Sequence, residues 1–193
     1  MATIRHEMEH ARHFQLAIDW LVKWRKDAPD TDFQQWLRAR KLGDETNALL
    51  AAAFGTRQGS EIVAHIEGLV AALDSLPATP DSGLLAKGEY PKAIGELKEM
   101  GIKGYLGTSS ASRAPAIERL RLFCCGSAAR KSALQAWLDV LLDPSKLSPK
   151  PSDQVLTLVK NDFGSGATST GGQQALRTFL VDLKSALAKR CKK

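Results

Sequence analysis

The chain has 193 residues, of which 44% are hydrophobic and 25% are charged, a composition typical of an ordinary globular domain that folds in water. No run of about 18 apolar residues occurs, so we expect no membrane-spanning helix and no membrane partner. The charge is uneven, because residues 111–193 contain 14 Lys and Arg against 6 Asp and Glu, whereas residues 1–110 contain 13 against 15. A basic half (net +8) beside a balanced half (net −2) predicts a surface that faces an anionic partner.

The first third of the chain has the apolar spacing of helices. Within residues 8–27, one apolar stripe recurs at helical intervals and contains Phe14, Ala17, Ile18, Leu21 and Val22. Shorter helices are predicted after the turn formers at 29–31 and over 43–54, and a stronger helix begins near Ser60 and ends at Pro77. Four helices with short connections are typical of a bundle, so we predict a helical bundle over residues 1–77.

Residues 78–91 are rich in proline, glycine and other turn formers, which predicts a turn-rich connection. Residues 92–193 are then a more basic, mainly helical region, which forms either a separate half or one domain with the first. Three short apolar runs, near 102–107, 120–125 and 154–159, do not distinguish a strand from a helix. We therefore predict a mainly α-helical protein, and the alternative is an α/β C-terminal half in which these runs are short parallel strands.

The basic region supplies the leading functional prediction. Its candidate binding residues are Arg119, Arg121, Arg130, Lys131, Arg177, Lys184, Lys189 and Arg190. Such residues neutralise phosphates, while aromatic residues for base stacking are scarce and no named nucleic-acid motif occurs. We therefore predict a non-enzymatic binding or assembly protein that engages an anionic partner, most simply the backbone of RNA or DNA. A helical protein–protein scaffold is an alternative, because the apolar stripes on the first and last helices are wide enough for self-association or for docking on another protein.

The segment from Cys124 to Arg130 supports a different hypothesis. Its Cys-x5-Arg spacing resembles the phosphate loop of cysteine-dependent phosphatases. That resemblance implies a small enzyme in which the Cys124 thiolate attacks phosphorus and Arg130 holds the oxyanion. The chain lacks the histidine that precedes the cysteine in that family and has no well-placed general acid. A helix in which Cys124 is a small core residue is the competing interpretation, so we assign no catalytic residue.

Three histidines near the N-terminus share one helical face. His6, His10 and His13 have i, i+4, i+7 spacing, and imidazoles at that spacing can bind zinc or nickel. No fourth ligand is evident, so we expect a partly buried packing face there, no metal site and no cofactor. His65, on the flank of a later helix, is expected to be structural.

The cysteine content bears on the compartment. Cys124, Cys125 and Cys191 are too few and too irregularly spaced for a disulfide framework. The first residues are polar and lack the apolar core of a secretory signal. We therefore expect an intracellular protein in a reducing compartment.

Overall fold

The computed structural model describes residues 2–40, 57–106, 110–189 and 191. Within these ranges the chain forms nine α-helices and two short 3-10 turns, and it contains no strand. The helices are α1 (Ala2–Asp27), α2 (Phe33–Arg38), α3 (Arg57–Ala72), α4 (Ser82–Ala86), α5 (Lys92–Ile102), α6 (Ser110–Cys125), α7 (Ala128–Leu142), α8 (Asp153–Asp162) and α9 (Gly171–Ala188). The 3-10 turns are Leu73–Ser75 and Pro144–Lys146. The prediction of a mainly α-helical protein is confirmed.

The alternative α/β interpretation of the C-terminal half is wrong. Residues 120–125 lie within α6, residues 154–159 lie within α8, and residue 102 ends α5 before a turn at 103–106. A run of four to six apolar residues is too short to show a helical or a strand period. The residues that cap a helix at its ends therefore decide its conformation. At the start of α8, the Ser152 hydroxyl accepts a hydrogen bond from the Val155 amide, which favours a helix. The helix predicted over 43–54 lies outside the described residues.

Helix α3 joins the N-terminal part of the chain to the rest. It packs against α1 on one side and against α5 and α6 on the other. Its apolar residues, such as Leu69 and Val70, belong to one buried cluster with residues of every helix from α4 to α9. Trp137 of α7 is fully buried in that cluster, and its indole Nε1 donates a hydrogen bond to the Pro77 carbonyl at 2.9 Å.

The last helix closes the core and matches its prediction. Helix α9 packs against α5, α6 and α7, and its apolar stripe is buried as expected: Leu176, Phe179, Leu180, Leu183 and Leu187. It begins with a capping box between Thr170 and Gln173. Gly172 allows the start of α9 to approach the end of α5 closely, because a Cβ at this position would overlap the Gly101 carbonyl oxygen.

The predicted connection at 78–91 is more ordered than a simple linker. It contains α4, which begins after Asp81, whose side chain accepts a hydrogen bond from the Gly83 amide. Leu85 of α4 is fully buried in the common core. Tyr90 donates a hydrogen bond to Asp162 at the end of α8. In the described part of the chain, no helix has the length and apolar character needed to cross a membrane.

Candidate functional site

Helix α1 packs against α3 through polar side chains. Glu9 and His13 of α1 are buried, and His6 and His10 are half-buried on the same face. Spacings of three and four residues place these side chains on one side of the helix. None of the described side chains of α1 belongs to the main apolar core. The first half of α1 therefore meets α3 through imidazole, carboxylate and guanidinium groups, whereas Leu16, Ala17 and Trp20, further along the same face, are half-buried.

Two histidines of α1 meet a carboxylate and a third histidine of α3. His6 Nε2 lies 3.3 Å from His10 Nε2, and the Glu61 Oε2 atom lies 3.7 Å from the first and 3.6 Å from the second. The His65 ring packs edge-on against His6, with ring centroids 4.5 Å apart. We call His6, His10, Glu61 and His65 the histidine cluster.

The two nitrogens of His65 have different environments. Its Nδ1 lies 2.7 Å from the Glu96 Oε2 atom of α5, and in the tautomer that donates the Nδ1 proton to this carboxylate the lone pair is on Nε2. His65 is only 4% exposed, and its Nε2 atom has no hydrogen-bond partner among the described residues. Gly68, one turn further along α3, leaves room for Glu96, because a Cβ there would lie 3.1 Å from the Glu96 carboxyl carbon.

The environment also favours the neutral form of His6. Burial lowers the pKa of His6, and the neighbouring His65 and His10 rings lower it further. A ring with a lowered pKa is neutral at neutral pH and has a lone pair for a hydrogen bond or a metal ion. Among the described residues, His6, Glu61 and His65 each place one potential ligand atom within 4.8 Å of the others. The histidine cluster can therefore bind a cation as well as pack two helices together.

No protein-family model, curated protein or solved structure matches this chain.

The opposite side of α1 is apolar and exposed. Phe14 is 72% exposed and Ile18 is 52% exposed, although the sequence predicts that this stripe faces a helical bundle. We call the apolar side of α1 the outer face; its side chains are Ile4, Met8, Ala11, Phe14, Gln15, Ile18, Leu21 and Val22. The expectation of a buried stripe fails because the polar face of α1 finds complementary imidazoles and carboxylates on α3.

The predicted basic residues are not gathered into one open surface. Four of them form ion pairs with carboxylates: Arg119 with Glu67, Arg121 with Glu118, Arg130 with Asp74 and Lys184 with Asp139. Two others donate to backbone carbonyls, Arg177 to Leu142 and Lys131 to Lys189. Lys189 is exposed, and Arg190 lies outside the described residues. Much of the positive charge of this region therefore has an internal partner.

The Cys-x5-Arg segment does not form a phosphate loop. Cys124 is fully buried near the end of α6, and burial raises its pKa to about 11. The Arg130 guanidinium donates to Asp74 at 2.6 Å and to the Phe123 carbonyl at 2.8 Å, and it lies over the Phe123 ring. A catalytic thiolate needs a lowered pKa and access to substrate, and Cys124 has neither. The structure thus favours the core interpretation of Cys124.

Cys125 and Cys191 form a disulfide that ties the segment after α9 to the end of α6. The sequence predicts no framework of several disulfides, but it does not exclude one disulfide between two cysteines that are 66 positions apart. Disulfides persist mainly in oxidising compartments. The intracellular, reducing location remains a prediction.

The sequence shows half of the histidine cluster and misses the rest. His6 and His10 are brought together as their spacing predicts, whereas His13 lies one turn further along and pairs with Glu9. The sequence does not single out Glu61, and it predicts a structural role for His65, although their i, i+4 spacing on a predicted helix places them on one face. That spacing is the sequence signal for the half of the histidine cluster that lies on α3.

Proposed function

We propose that this chain is a non-enzymatic assembly protein that associates with a second copy of itself through the outer face of α1. The observation that supports the proposal is the reversed polarity of α1, whose polar side packs inward and whose apolar side is exposed. Monomeric proteins rarely expose a long contiguous apolar surface, because its burial stabilises association. The outer face runs from Ile4 to Val22, about 27 Å along the helix axis.

The spacing of the outer face matches that of a coiled coil. Its central side chains alternate by four and three residues: Ile4, Met8, Ala11, Gln15, Ile18 and Val22. In a parallel pair, each side chain packs beside its counterpart in the other copy. We call these six central positions the seam. Gln15 is then the one polar side chain in the seam, and a polar group there fixes the register of the two helices.

The charges beside the outer face also fit a parallel pair of copies. Glu7 precedes the first full heptad of the seam, and Arg12 lies five positions further along on the opposite flank. In parallel coiled coils, side chains with this offset meet across the interface. Glu7 of each copy would therefore face Arg12 of the other, which gives two attractive contacts per dimer.

The test is the mass of the protein in solution, measured by light scattering over a range of concentrations. We expect the wild type to shift towards a dimer as its concentration rises. Ile18→Glu should keep it monomeric, because a carboxylate in the seam loses its hydration. The matched control is Leu122→Glu, since Leu122 is 55% exposed on α6 and should leave the dimer unchanged.

A charge exchange then tests the orientation of the two copies. Glu7→Arg and Arg12→Glu should each weaken the dimer, and the double variant should restore it, because the two contacts are re-formed with reversed signs. A wild type that remains monomeric at every concentration would overturn the proposal, as would a dimer that Ile18→Glu does not weaken.

Binding to a nucleic-acid backbone is the second candidate, supported by the net charge of +8 over residues 111–193. The probe is a fluorescent single-stranded RNA whose anisotropy is followed as salt increases. We expect the logarithm of the affinity to fall linearly with the logarithm of salt concentration. Lys189→Glu with Arg190→Glu should weaken binding more than Lys92→Glu with Lys103→Glu, which changes the net charge equally. Equal effects of the two pairs would reject this site.

A further inference from the structure

We infer that the histidine cluster is a binding site for a divalent transition metal ion, and that Zn²⁺ fits it best. The inference rests on side chains at the contact of α1 with α3 and is independent of the outer face. It departs from the sequence-based expectation of no metal site, because two of the four ligands come from α3.

The ligand set selects the kind of metal. Three imidazoles and one carboxylate form a nitrogen-rich set that suits Zn²⁺, Ni²⁺ or Cu²⁺, whereas Mg²⁺ and Ca²⁺ prefer oxygen ligands. Four protein ligands complete the tetrahedral shell that is usual for structural zinc. Nothing in this set provides an open position for substrate, so the inferred role is structural.

The distances agree with a shared ion. Zinc–ligand bonds of 2.0–2.1 Å place neighbouring ligand atoms of a tetrahedron roughly 3.3 to 3.4 Å apart. The three distances among His6, His10 and Glu61 are 3.3, 3.7 and 3.6 Å. His65 offers a ligand atom that lies within 4.8 Å of those of His6 and Glu61.

The strongest single observation is the state of His65. A ring nitrogen that is buried without a hydrogen bond is unfavourable, because it has lost its hydration and gained no partner. A metal ion would satisfy that lone pair. Glu96, which holds the opposite nitrogen at 2.7 Å, has the position of the carboxylate that orients a metal-binding histidine. The helices α1, α3 and α5 would then be joined through one ion.

The experiment uses protein purified without a polyhistidine tag and freed of metal with EDTA. Zn²⁺ is titrated by calorimetry, and Co²⁺ is used as a spectroscopic probe because tetrahedral Co²⁺ has strong visible absorption bands. We expect one ion to bind per chain, tetrahedral Co²⁺ bands, and a higher melting temperature with Zn²⁺. Far-ultraviolet circular dichroism of each metal-free variant establishes that it is folded.

Variants with different expected losses of Zn²⁺ affinity distinguish a metal site from a cluster that only packs the two helices together. Glu96→Gln should weaken Zn²⁺ binding by about 10- to 100-fold, since it removes only the orienting carboxylate. His6→Ala, at the half-buried edge, should cause a larger loss and abolish the Co²⁺ bands. His13→Gln is the matched control, because this histidine is on the same helix but outside the cluster, and it should bind as the wild type does. A wild type that binds neither ion would overturn the inference, and so would binding that His6→Ala leaves unchanged.

Discussion

The thiol of Cys124 is fully buried, and its surroundings determine its chemistry more than the Cys-x5-Arg spacing does. Burial raises its pKa from the ordinary 9.0 to about 11, while Arg130 and Lys131 only partly oppose that shift. We predict that iodoacetamide does not modify Cys124 in the folded protein at pH 8 and modifies it completely in urea, as measured by intact mass. Rapid modification of the folded protein would contradict the buried placement.

The same shift predicts how stability depends on pH. Below about pH 9 the thiol is protonated in both the folded and the unfolded state, so its environment contributes fully to stability. Between about pH 9 and 11 the unfolded chain loses this proton first, so the free energy of unfolding falls as the pH rises. Urea unfolding of the wild type and of Cys124→Ala, compared at pH 8 and pH 10.5, measures this effect. A decline of equal size in both proteins would assign it to other groups.

Ion pairs with distant carboxylates explain why the sequence alone does not predict how much of the basic surface is open. The sequence counts positive charges, but it does not reveal that Asp74 is hydrogen bonded to Arg130 from 56 positions away, or Glu67 to Arg119 from 52. These partners are brought together by the packing of α3 against α6 and by the turn that follows α3. A charge that forms an ion pair within the molecule contributes less to the field that an anionic partner meets.

Among the elements, the C-terminal segment is held by the bond between Cys125 and Cys191, which closes a loop with a sequence separation of 66. Such a closure restricts the unfolded chain, so we expect Cys191→Ser to lower the free energy of unfolding by about 2 to 4 kcal/mol. Urea unfolding with and without reductant measures the loss. Reductant should bring the wild type to the stability of Cys191→Ser and leave the variant unchanged. A wild type that is insensitive to reductant would show that the bond contributes nothing.

The helices themselves were more predictable than the faces they bury. The apolar stripe of α9 and the helix that ends before Pro77 match their predictions. The spacing of apolar residues and the positions of turn formers depend on local structure, so the sequence alone predicts them. For α1 the sequence predicts contacts on both faces, the apolar stripe in a bundle and the histidines as a packing face, and the period alone does not decide between them. The polar face packs inward because His65, Glu61 and Glu67 of α3 offer it partners, and that choice depends on a second helix.

At the scale of the whole molecule, the described chain has one apolar core built from α3 to α9, with α1 attached beside it. Regions with few buried apolar contacts open locally at a lower free energy than the core does. Helix α1 is bound through imidazoles, carboxylates and Arg5, which forms an ion pair with Glu67 at 3.4 Å. Part of its attachment therefore depends on polar contacts that water can replace, whereas α9 is released only when the core opens.

We therefore predict that the amide hydrogens of α1 exchange faster than those of α9 in metal-free protein. Peptide-resolved hydrogen exchange by mass spectrometry measures both helices in the same sample, and the middle turns are compared so that fraying ends do not contribute. Helix α9 is the internal control, because its central residues Phe179, Leu180 and Leu183 are fully buried and exchange by global unfolding. Arg5→Gln should accelerate exchange in α1 and leave α9 unchanged, since it removes the ion pair with Glu67 and keeps the pair between Glu67 and Arg119. Equal protection of the two helices would show that α1 opens only with the whole core, and that its polar contacts hold it as firmly as apolar packing would.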